Sequence, residues 1–90
     1  MAKYRTKTRI VEAEQWLPKR EEWPGIGIPD KLGVVWEFGP DGMVSGGFIE
    51  TLQGKCIVSW ADWIISNDKG QKYAPRNPDE FADFYEPVTD

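Results

Sequence analysis

The stretch GVVWEFGPDGMVSGGFIETLQGKCIVS, residues 33–59, decides the fold, because it places two tight turns between runs of alternating apolar residues. Val34, Trp36 and Phe38 take every second position, which is the spacing of side chains on one face of a β-strand. The sequence GPDG that follows at 39–42 consists of residues that favour turns. This part of the stretch therefore predicts a β-hairpin.

A second hairpin is predicted in the same stretch, with its turn at Gln53-Gly54. Glycine adopts the positive φ angle that a two-residue hairpin turn requires. Toward the C-terminus, an Asn-Asp-Lys-Gly turn separates two more strands. The further predicted strands cover residues 47–52, 55–59, 63–66 and 71–74. Successive hairpins predict a mainly β (α+β) fold, either a small curled antiparallel sheet or a partly open barrel with one short C-terminal helix.

The C-terminal helix is predicted to begin at Pro78, with Asn77 as its N-cap. Two acidic residues follow in the first turn, where negative charge is favourable beside the helix dipole. Phe81, Phe84 and Tyr85 are spaced three and four residues apart, so we expect this side of the helix to lie on the sheet. A proline two residues after Tyr85 prevents the helix from continuing.

The N-terminal segment alternates basic and uncharged residues, which predicts a strand with one basic face. Its basic residues are Lys3, Arg5, Lys7 and Arg9. The apolar positions change from even to odd numbers near Ile10 and Val11, and a β-bulge there would explain the change. The sequence VEAEQW at 11–16 also suits a helical turn. We favour the strand, because Pro18 follows too closely for a packed helix.

Residues 18–33 contain three prolines and three glycines, which predicts an irregular loop within a single compact domain of residues 1–90. One helical turn is expected at residues 29–32. The loop should be held against the body of the protein by its large apolar side chains, which are Trp23, Ile26 and Ile28.

The overall charge and composition argue against several classes of function. The net charge of -4 opposes binding to long nucleic acid, which needs many basic side chains against the phosphates. The chain has no apolar run long enough to span a membrane, and no apolar segment behind its basic N-terminus to act as a secretory signal. A single cysteine excludes an internal disulfide. We therefore expect a cytoplasmic protein without a membrane partner.

Residues needed for most kinds of catalysis are missing. The chain contains no histidine, which excludes Ser-His-Asp and Cys-His arrangements and imidazole metal ligands. Cys56 alternates with apolar neighbours in a predicted strand, so we expect a small, buried or half-buried side chain there rather than a nucleophile. The weaker alternative is hydrolysis by a carboxylate pair, Glu50 and Asp62. We expect no catalytic residues, no bound metal and no cofactor.

The aromatic residues are the main candidates for a binding site. Five Trp, four Phe and three Tyr are many for 90 residues, and rings that do not fit in a small core tend to lie in interfaces. The candidate ligand- or partner-binding residues are Trp36, Trp60, Trp63 and Tyr73, with Phe48 beside them and Arg5, Arg9, Lys72 and Arg76 as a basic rim. An aromatic cleft with a basic rim suits a small nucleotide-like ligand. The alternative is that the rings form the core and the basic strand face is only a solvated edge.

The segment IVSWADWII, residues 57–65, combines core and candidate site residues. Its side chains expected in the core are Ile57, Ile64 and Ile65. In a turn before a strand, the Asp62 carboxylate should accept backbone N–H groups two residues on. Only one of Trp60 and Trp63 should be free for a partner, because positions of opposite parity in a sheet face opposite ways. Trp60 is the better candidate.

The sequences GFIETLQGKCIVSWADWII and GQKYAPRNPDEFADFYEPV resemble those of small phage and prophage proteins with a Pro-Gly-Asp-Tyr-Gly type motif. In that group a Tyr-Ile-Glu-Thr-Leu-Glu-Gly hairpin precedes a Pro-Gly-Asp-aromatic turn, and a Pro-Asp-x-Phe helix leads to a closing Tyr-Glu. The matching positions in this chain are 48–54, 62–65, Gly70, Tyr73, Pro75, Pro78, Asp79, Phe81, Tyr85 and Glu86, and VEAEQW looks like the opening strand. The chain departs from the motif at Trp60-Ala61, which stands in place of Pro-Gly.

The resemblance implies a phage or prophage origin rather than an activity, because the group has no established activity. Small phage proteins without catalytic groups commonly act by binding. We therefore expect a non-enzymatic accessory protein of the host cytoplasm that binds a host factor or a nucleotide-like small ligand and counters a host defence. We also expect a homo-oligomer. The alternative is a structural or assembly component of the phage particle.

Overall fold

The computed structural model describes residues 2–5 and 10–87, and all of its helices and strands belong to that part of the chain. Its strands are β1 (Ala2–Arg5), β2 (Ile10–Gln15), β3 (Val35–Phe38), β4 (Val44–Thr51), β5 (Gly54–Val58), β6 (Trp63–Ser66) and β7 (Glu86–Pro87). The helical elements are a 3-10 turn at Arg20–Glu22 and the α-helix α1 (Pro78–Phe84). Within these residues, no helix is long and apolar enough to cross a membrane.

The strands form two antiparallel sheets. One has four strands in the order β6-β2-β1-β7, and the other has three strands in the order β3-β4-β5. The mainly β class with a short C-terminal helix is confirmed, but the curled sheet or partly open barrel is wrong, because neither sheet closes or curls. Alternation of apolar residues identifies strands without identifying their partners. In the structure, β6 pairs with β2, which lies far before it in the chain, and not with its neighbour β5.

The N-terminal segment forms two strands rather than one. β1 and β2 pair with each other in the antiparallel sense, with Tyr4 opposite Val11 and Ala2 opposite Ala13. The predicted single strand with a bulge near Ile10 is therefore wrong, and so is the helical alternative. The apolar phase changes because opposite residues of an antiparallel pair, such as Tyr4 and Val11, lie on the same face of the sheet.

Both predicted hairpins are confirmed, with a small difference in one turn. In the first, the Gly42 N–H donates to the Gly39 carbonyl (3.0 Å) and closes the turn between β3 and β4. In the second, Thr51 lies opposite Gly54, so the two loop residues come one position earlier than expected. Gly54 has the positive φ angle (106°) that the turn is predicted to need.

The segment after β6 runs beside it without forming a regular strand. Isolated bridges join Ser66 to Lys72 and Trp63 to Arg76. The strand predicted at 71–74 is therefore wrong. The segment nevertheless covers the outer edge of β6, so this edge of the four-stranded sheet is not open along its whole length.

Residues 18–33 form the predicted irregular loop, but its helical turn lies at Arg20–Glu22 instead of at its C-terminal end. Trp23 holds the loop against the three-stranded sheet, with its ring centre 5.2 Å from that of Phe38. The prediction that Ile26 and Ile28 also hold the loop is wrong. Ile26 is 90% exposed and Ile28 is 51% exposed. They project because the loop turns back on itself there, with the Ile28 N–H donating to the Gly25 carbonyl (3.3 Å).

The helix α1 begins and ends as its capping pattern predicts. The Asn77 side-chain oxygen accepts the Glu80 N–H (2.8 Å), and Pro78 occupies the first turn. Phe81 is buried against the four-stranded sheet, and the Tyr85 ring stacks on it at 4.9 Å.

Phe84 does not lie on the sheet, so that part of the helix prediction is wrong. Its ring is 57% exposed and lies beneath the Arg76 guanidinium, 4.9 Å from the ring centre. A helix of only two turns has a narrow buried face, and Phe81 already fills it.

Two apolar clusters lie on the sheets. The Trp16 cluster contains Trp16, Leu32, Val34, Trp36, Ile49, Val58 and Ile64. The Phe81 cluster contains Val11, Ala13, Ile65 and Phe81. Burial of Ile64 and Ile65 is confirmed, and these adjacent residues of β6 face opposite clusters. The expected burial of Ile57 is wrong: it is 68% exposed, because its neighbours Cys56 and Val58 take the inward positions of β5.

Gly47 lies in the middle strand of the three-stranded sheet, where an added Cβ would be 2.6 Å from Val34 Cγ1 and 2.7 Å from the Val35 carbonyl oxygen. We expect Gly47→Ala to lower the free energy of unfolding by about 2–3 kcal/mol through overpacking, measured by urea denaturation. Gly39→Ala is the matched control, because its Cβ would be 3.2 Å from the end of the Asp41 side chain and at ordinary contact distance, 3.9 Å or more, from Ser45 and the Met43 carbonyl oxygen. Equal losses in the two variants would contradict this packing argument.

Candidate binding site

The centre of the Trp16 cluster is a carboxylate that accepts four hydrogen bonds. Asp30 Oδ2 accepts from the indole Nε1 of Trp16 (3.0 Å) and from that of Trp36 (2.8 Å). Asp30 Oδ1 accepts from the backbone N–H groups of Leu32 (2.8 Å) and Val34 (3.0 Å). Hydrogen bonds to an ionised acceptor are stronger than those between neutral groups. One side chain therefore joins the irregular loop, the end of β2 and the start of β3.

The local sequence PDKLGV explains how Asp30 takes this position. The Gly33 N–H donates to the Asp30 carbonyl (2.9 Å), and the Asp30 N–H donates to the Val34 carbonyl (2.9 Å). Gly33 has a positive φ angle of 86°, which glycine adopts without strain. Aspartate commonly accepts a backbone N–H two residues on, in this case that of Leu32. This tight turn occupies Oδ1 and leaves Oδ2 directed at the two indoles.

Four tryptophans and one phenylalanine form a continuous line of rings, which we call the aromatic row. In order it contains Trp60, Trp16, Trp36, Phe38 and Trp23, with successive ring-centre distances of 6.2, 6.2, 6.5 and 5.2 Å. Trp16 and Trp36 are buried, whereas the two end rings are 49% exposed at Trp60 and 36% exposed at Trp23. The row therefore extends from the core to solvent at both ends.

Trp60 is held in place although half of its surface is exposed. Its indole Nε1 donates to the Val44 carbonyl (3.0 Å), and its ring lies against Trp16. The polar atom of the indole is therefore already satisfied by the protein. What remains open to solvent is the apolar part of the ring.

A cleft of about 500 Å³ opens beside the two buried indoles, between the irregular loop and the end of β2. Its volume is in the usual range for small-molecule sites. Its walls include the two indoles and three prolines, and its charged groups are Glu14, Glu22, Asp30, Lys19 and Lys31. Lys31 is paired with Glu14 (3.8 Å). Three carboxylates beside two ammonium groups do not favour a phosphate.

The structure divides the predicted aromatic site between two places. Trp36 and Trp60 belong to the aromatic row, whereas Trp63 and Tyr73 pack in the Phe81 cluster. The Trp63 ring stacks on Phe81 with a centre distance of 4.2 Å and an angle of 6°. Trp60 is 49% exposed and Trp63 is half-buried, so Trp60 remains the better candidate for contact with a partner. The predicted set is therefore not one cleft.

The two described members of the predicted basic rim, Lys72 and Arg76, have partners outside the aromatic row. Arg76 forms an ion pair with Glu80 (3.2 Å), and Lys72 Nζ donates to Ser66 Oγ (2.9 Å). Two further members of the predicted rim lie outside the described residues: Arg9 and the side chain of Arg5. Phe48 lies apart as well, on the outer face of the three-stranded sheet, with the ammonium of Lys55 4.0 Å above its ring.

The side chains considered for catalysis, Asp62, Glu50 and Cys56, lie in turns and strands beside other protein groups. Asp62 Oδ2 accepts a backbone N–H in a turn, as predicted, but the donor is Ser59 (2.9 Å), three residues before it, and not a residue two positions on. Glu50 lies opposite Lys55 in the β4–β5 pair. Cys56 is half-buried, with its sulfur 3.4 Å from Thr51 Oγ1. Among the described residues, no group of three or more Cys, Asp or Glu side chains is placed to hold a metal ion.

The turn that carries Trp60 has an unusual residue at its third position. The Asp62 N–H donates to the Ser59 carbonyl (3.1 Å), which makes residues 59–62 a β-turn. Ala61, its third residue, has a φ angle of 69° and is the only described residue other than glycine with a positive φ. This conformation favours glycine, the residue that the phage and prophage motif has at this position.

Two central residues of the site, Trp16 and Asp30, do not stand out in the sequence. Trp16 marks only the end of a predicted strand, although it is 1% exposed and its N–H donates to the Asp62 carbonyl (2.8 Å). The available signal for Asp30 is its place between Pro29 and a glycine turn, where an aspartate commonly accepts backbone N–H groups. No local pattern indicates that two distant indoles meet the same carboxylate.

No protein-family model, no curated protein and no solved structure matches this chain. A functional assignment therefore depends on the geometry of the aromatic row and the cleft.

Asp30→Asn replaces one acceptor oxygen by an NH2 group, which must face either the two indole N–H groups or the two backbone N–H groups. We expect the free energy of unfolding to fall by about 2–4 kcal/mol, because two charge-assisted hydrogen bonds are lost together. Urea denaturation followed by tryptophan fluorescence measures the change. Asp41→Asn is the matched control, because that exposed carboxylate accepts only the Met43 N–H (3.0 Å). A loss no larger than that of the control would contradict the role given to Asp30.

Ala61→Gly should stabilise the protein. An L-residue in the left-handed region costs about 1–2 kcal/mol, and the greater freedom of glycine in the unfolded chain offsets part of this. We expect a gain of up to about 1 kcal/mol in the free energy of unfolding, measured by thermal and urea denaturation. Ala82→Gly, the same change on the exposed side of α1, should instead lower it by about 0.5–1 kcal/mol. Destabilisation by both variants would argue against strain at Ala61.

Proposed function

We propose that this chain is a non-enzymatic accessory protein of phage or prophage origin that binds a host protein through the Trp60 end of the aromatic row. The origin is supported by the resemblance to the phage and prophage group. The proposed role is to occupy a surface of a host protein, and defence proteins of the host are the class of partner that a phage gains most by blocking.

The observation that carries this proposal is a rigid, half-exposed indole. Trp60 is held by Trp16 and by the Val44 carbonyl, so little side-chain freedom would be lost when a partner covers it. Tryptophan is enriched among the residues that contribute most to protein–protein affinity.

Two exposed apolar residues are adjacent in sequence to the residues that hold Trp60. Leu17 follows Trp16 and is 54% exposed, and Met43 precedes Val44 and is 63% exposed. Methionine and tryptophan are both over-represented in interface cores, where charged residues are rare.

A protein partner is better supported than a nucleotide. A nucleotide site needs basic groups that can contact a phosphate near the stacking rings. Lys72 and Arg76 have partners elsewhere in the structure. Arg20, which lies over the Phe38 ring, donates to the Gly42 carbonyl (2.7 Å). The cleft beside the buried indoles has more carboxylates than ammonium groups. Its two indoles are also almost fully covered, so they offer little surface for a base to stack on.

Affinity purification from host cells, followed by calorimetry with the purified partner, tests the proposal. We expect Trp60→Ala to weaken binding by about 30-fold or more, because truncation of a central interface tryptophan commonly costs at least about 2 kcal/mol. The matched control is Phe84→Ala, which removes a ring of similar exposure on α1, outside the aromatic row. Thermal denaturation of both variants checks that they are folded.

Two results would contradict the proposal. One is equal affinity of Trp60→Ala and the unaltered chain for the same purified host protein. The other is recovery of the chain only with assembled virions, which would support the structural alternative instead.

A further inference from the structure

The three-stranded sheet has an open edge at β5, which is the longest edge strand in the described part of the chain. The opposite edge, at β3, is partly occupied by the irregular loop: the Asp30 N–H donates to the Val34 carbonyl, and Trp23 lies against Phe38. The edge at β6 is bordered by the segment that follows it. An edge strand with free backbone groups is a template for pairing with another strand.

The register of the β4–β5 hairpin shows which backbone groups of β5 face outward. Thr51 and Gly54 flank the two-residue loop and form its hydrogen-bonded pair. Because hydrogen-bonded and non-hydrogen-bonded pairs alternate, Cys56 also bonds to β4, whereas Lys55 and Ile57 direct their N–H and C=O groups away from it. The next outward N–H, that of Ser59, is already taken by Asp62 (2.9 Å). The open edge therefore consists of Lys55 and Ile57.

The side chains beside this edge form an apolar line across the sheet, half-buried at Val35 and Phe48 and exposed at Ile57. Val35, Phe48 and Ile57 lie opposite one another across β3, β4 and β5. Ile57 is 68% exposed, because it lies between the two inward residues Cys56 and Val58. The line ends at the open edge, so Ile57 has no cross-strand neighbour on that side.

We propose that β5 pairs in the antiparallel sense with β5 of a second copy, with Lys55 of each copy opposite Ile57 of the other. This register pairs the two outward-facing residues with each other, so it forms four backbone hydrogen bonds. Shifted by two residues in one direction, the pairing would set Lys55 against Lys55, a repulsive like-charge pair. Shifted in the other direction, it would need the N–H of Ser59, which Asp62 already binds.

The same register places Cys56 of one copy opposite Cys56 of the other. They form a non-hydrogen-bonded antiparallel pair, in which the Cα atoms are about 4.5 Å apart. This distance is within the range that a disulfide can bridge. The chain has one cysteine, so any disulfide between two copies joins these residues.

Two opposite charges at one exposed position test both the dimer and its register. Ile57→Lys sets Lys against Lys55 of the other copy, and Ile57→Glu sets Glu against it. We expect sedimentation velocity over about 5 µM to 1 mM to show a dimer for the unaltered chain and for Ile57→Glu, and a Kd about tenfold higher or more for Ile57→Lys. Ile26→Lys, at a 90% exposed loop position, is the control and should leave the Kd unchanged. Mild oxidation with diamide should give a Cys56-linked dimer. Its yield should be lower for Ile57→Lys than for the unaltered chain, Ile57→Glu and Ile26→Lys.

A chain that stays monomeric over the whole range would overturn the inference. Equal weakening by Ile57→Glu and Ile57→Lys would overturn the register, since only the pairing with Lys55 distinguishes the two charges. Dimer formation through β5 does not require the host partner. Trp60→Ala should leave the dimer intact, so loss of host binding and loss of the dimer can be told apart.

Discussion

The interaction on which the rest of the structure depends is the acceptance of four N–H groups by the Asp30 carboxylate. Two of them come from the turn that contains Asp30, and two come from the indoles of Trp16 and Trp36. An irregular loop has few backbone hydrogen bonds of its own, so a charged acceptor at its end gives it a defined position. The same contact satisfies two indole N–H groups that would otherwise be buried without a partner.

Trp16 connects the loop, through Asp30, to the turn that joins the two sheets. Its backbone exchanges hydrogen bonds with the 59–62 turn, donating to the Asp62 carbonyl and accepting from the Ala61 N–H (2.9 Å). This turn connects the last strand of the three-stranded sheet to β6 of the four-stranded sheet. The turn also carries Trp60, whose ring rests on Trp16. The half-exposed indole is therefore a consequence of how the two sheets are joined, and its position is set by buried contacts.

Local features of the fold could be predicted from the sequence, and features that depend on distant contacts could not. The hairpins and the capped helix were predicted correctly, because a turn sequence or a cap acts over a few residues. The curled sheet was wrong, because the pairing of β6 with β2 depends on contacts across most of the chain. The burial of Ile57 is not predictable from its apolar character alone. Adjacent residues of a strand face opposite sides, so the register that buries Val58 exposes Ile57.

The same distinction applies to the candidate site. The sequence favours Trp60 over Trp63 as the ring open to a partner, but it does not predict the separation of Trp36 from Trp63, since these rings belong to different clusters. Asp30 was missed because its two indole partners are 14 and 6 residues away along the chain, and no periodicity links them.

By itself, the sequence determined the β class, the existence of both hairpins, the limits of the helix and the absence of histidine chemistry, because each depends on residue type or on short-range backbone preference. Only the tertiary structure decided which strands pair, which tryptophans are covered and which sheet edge is open. The physical reason is that burial and pairing depend on contacts between segments far apart in the chain, and local preferences do not specify those contacts.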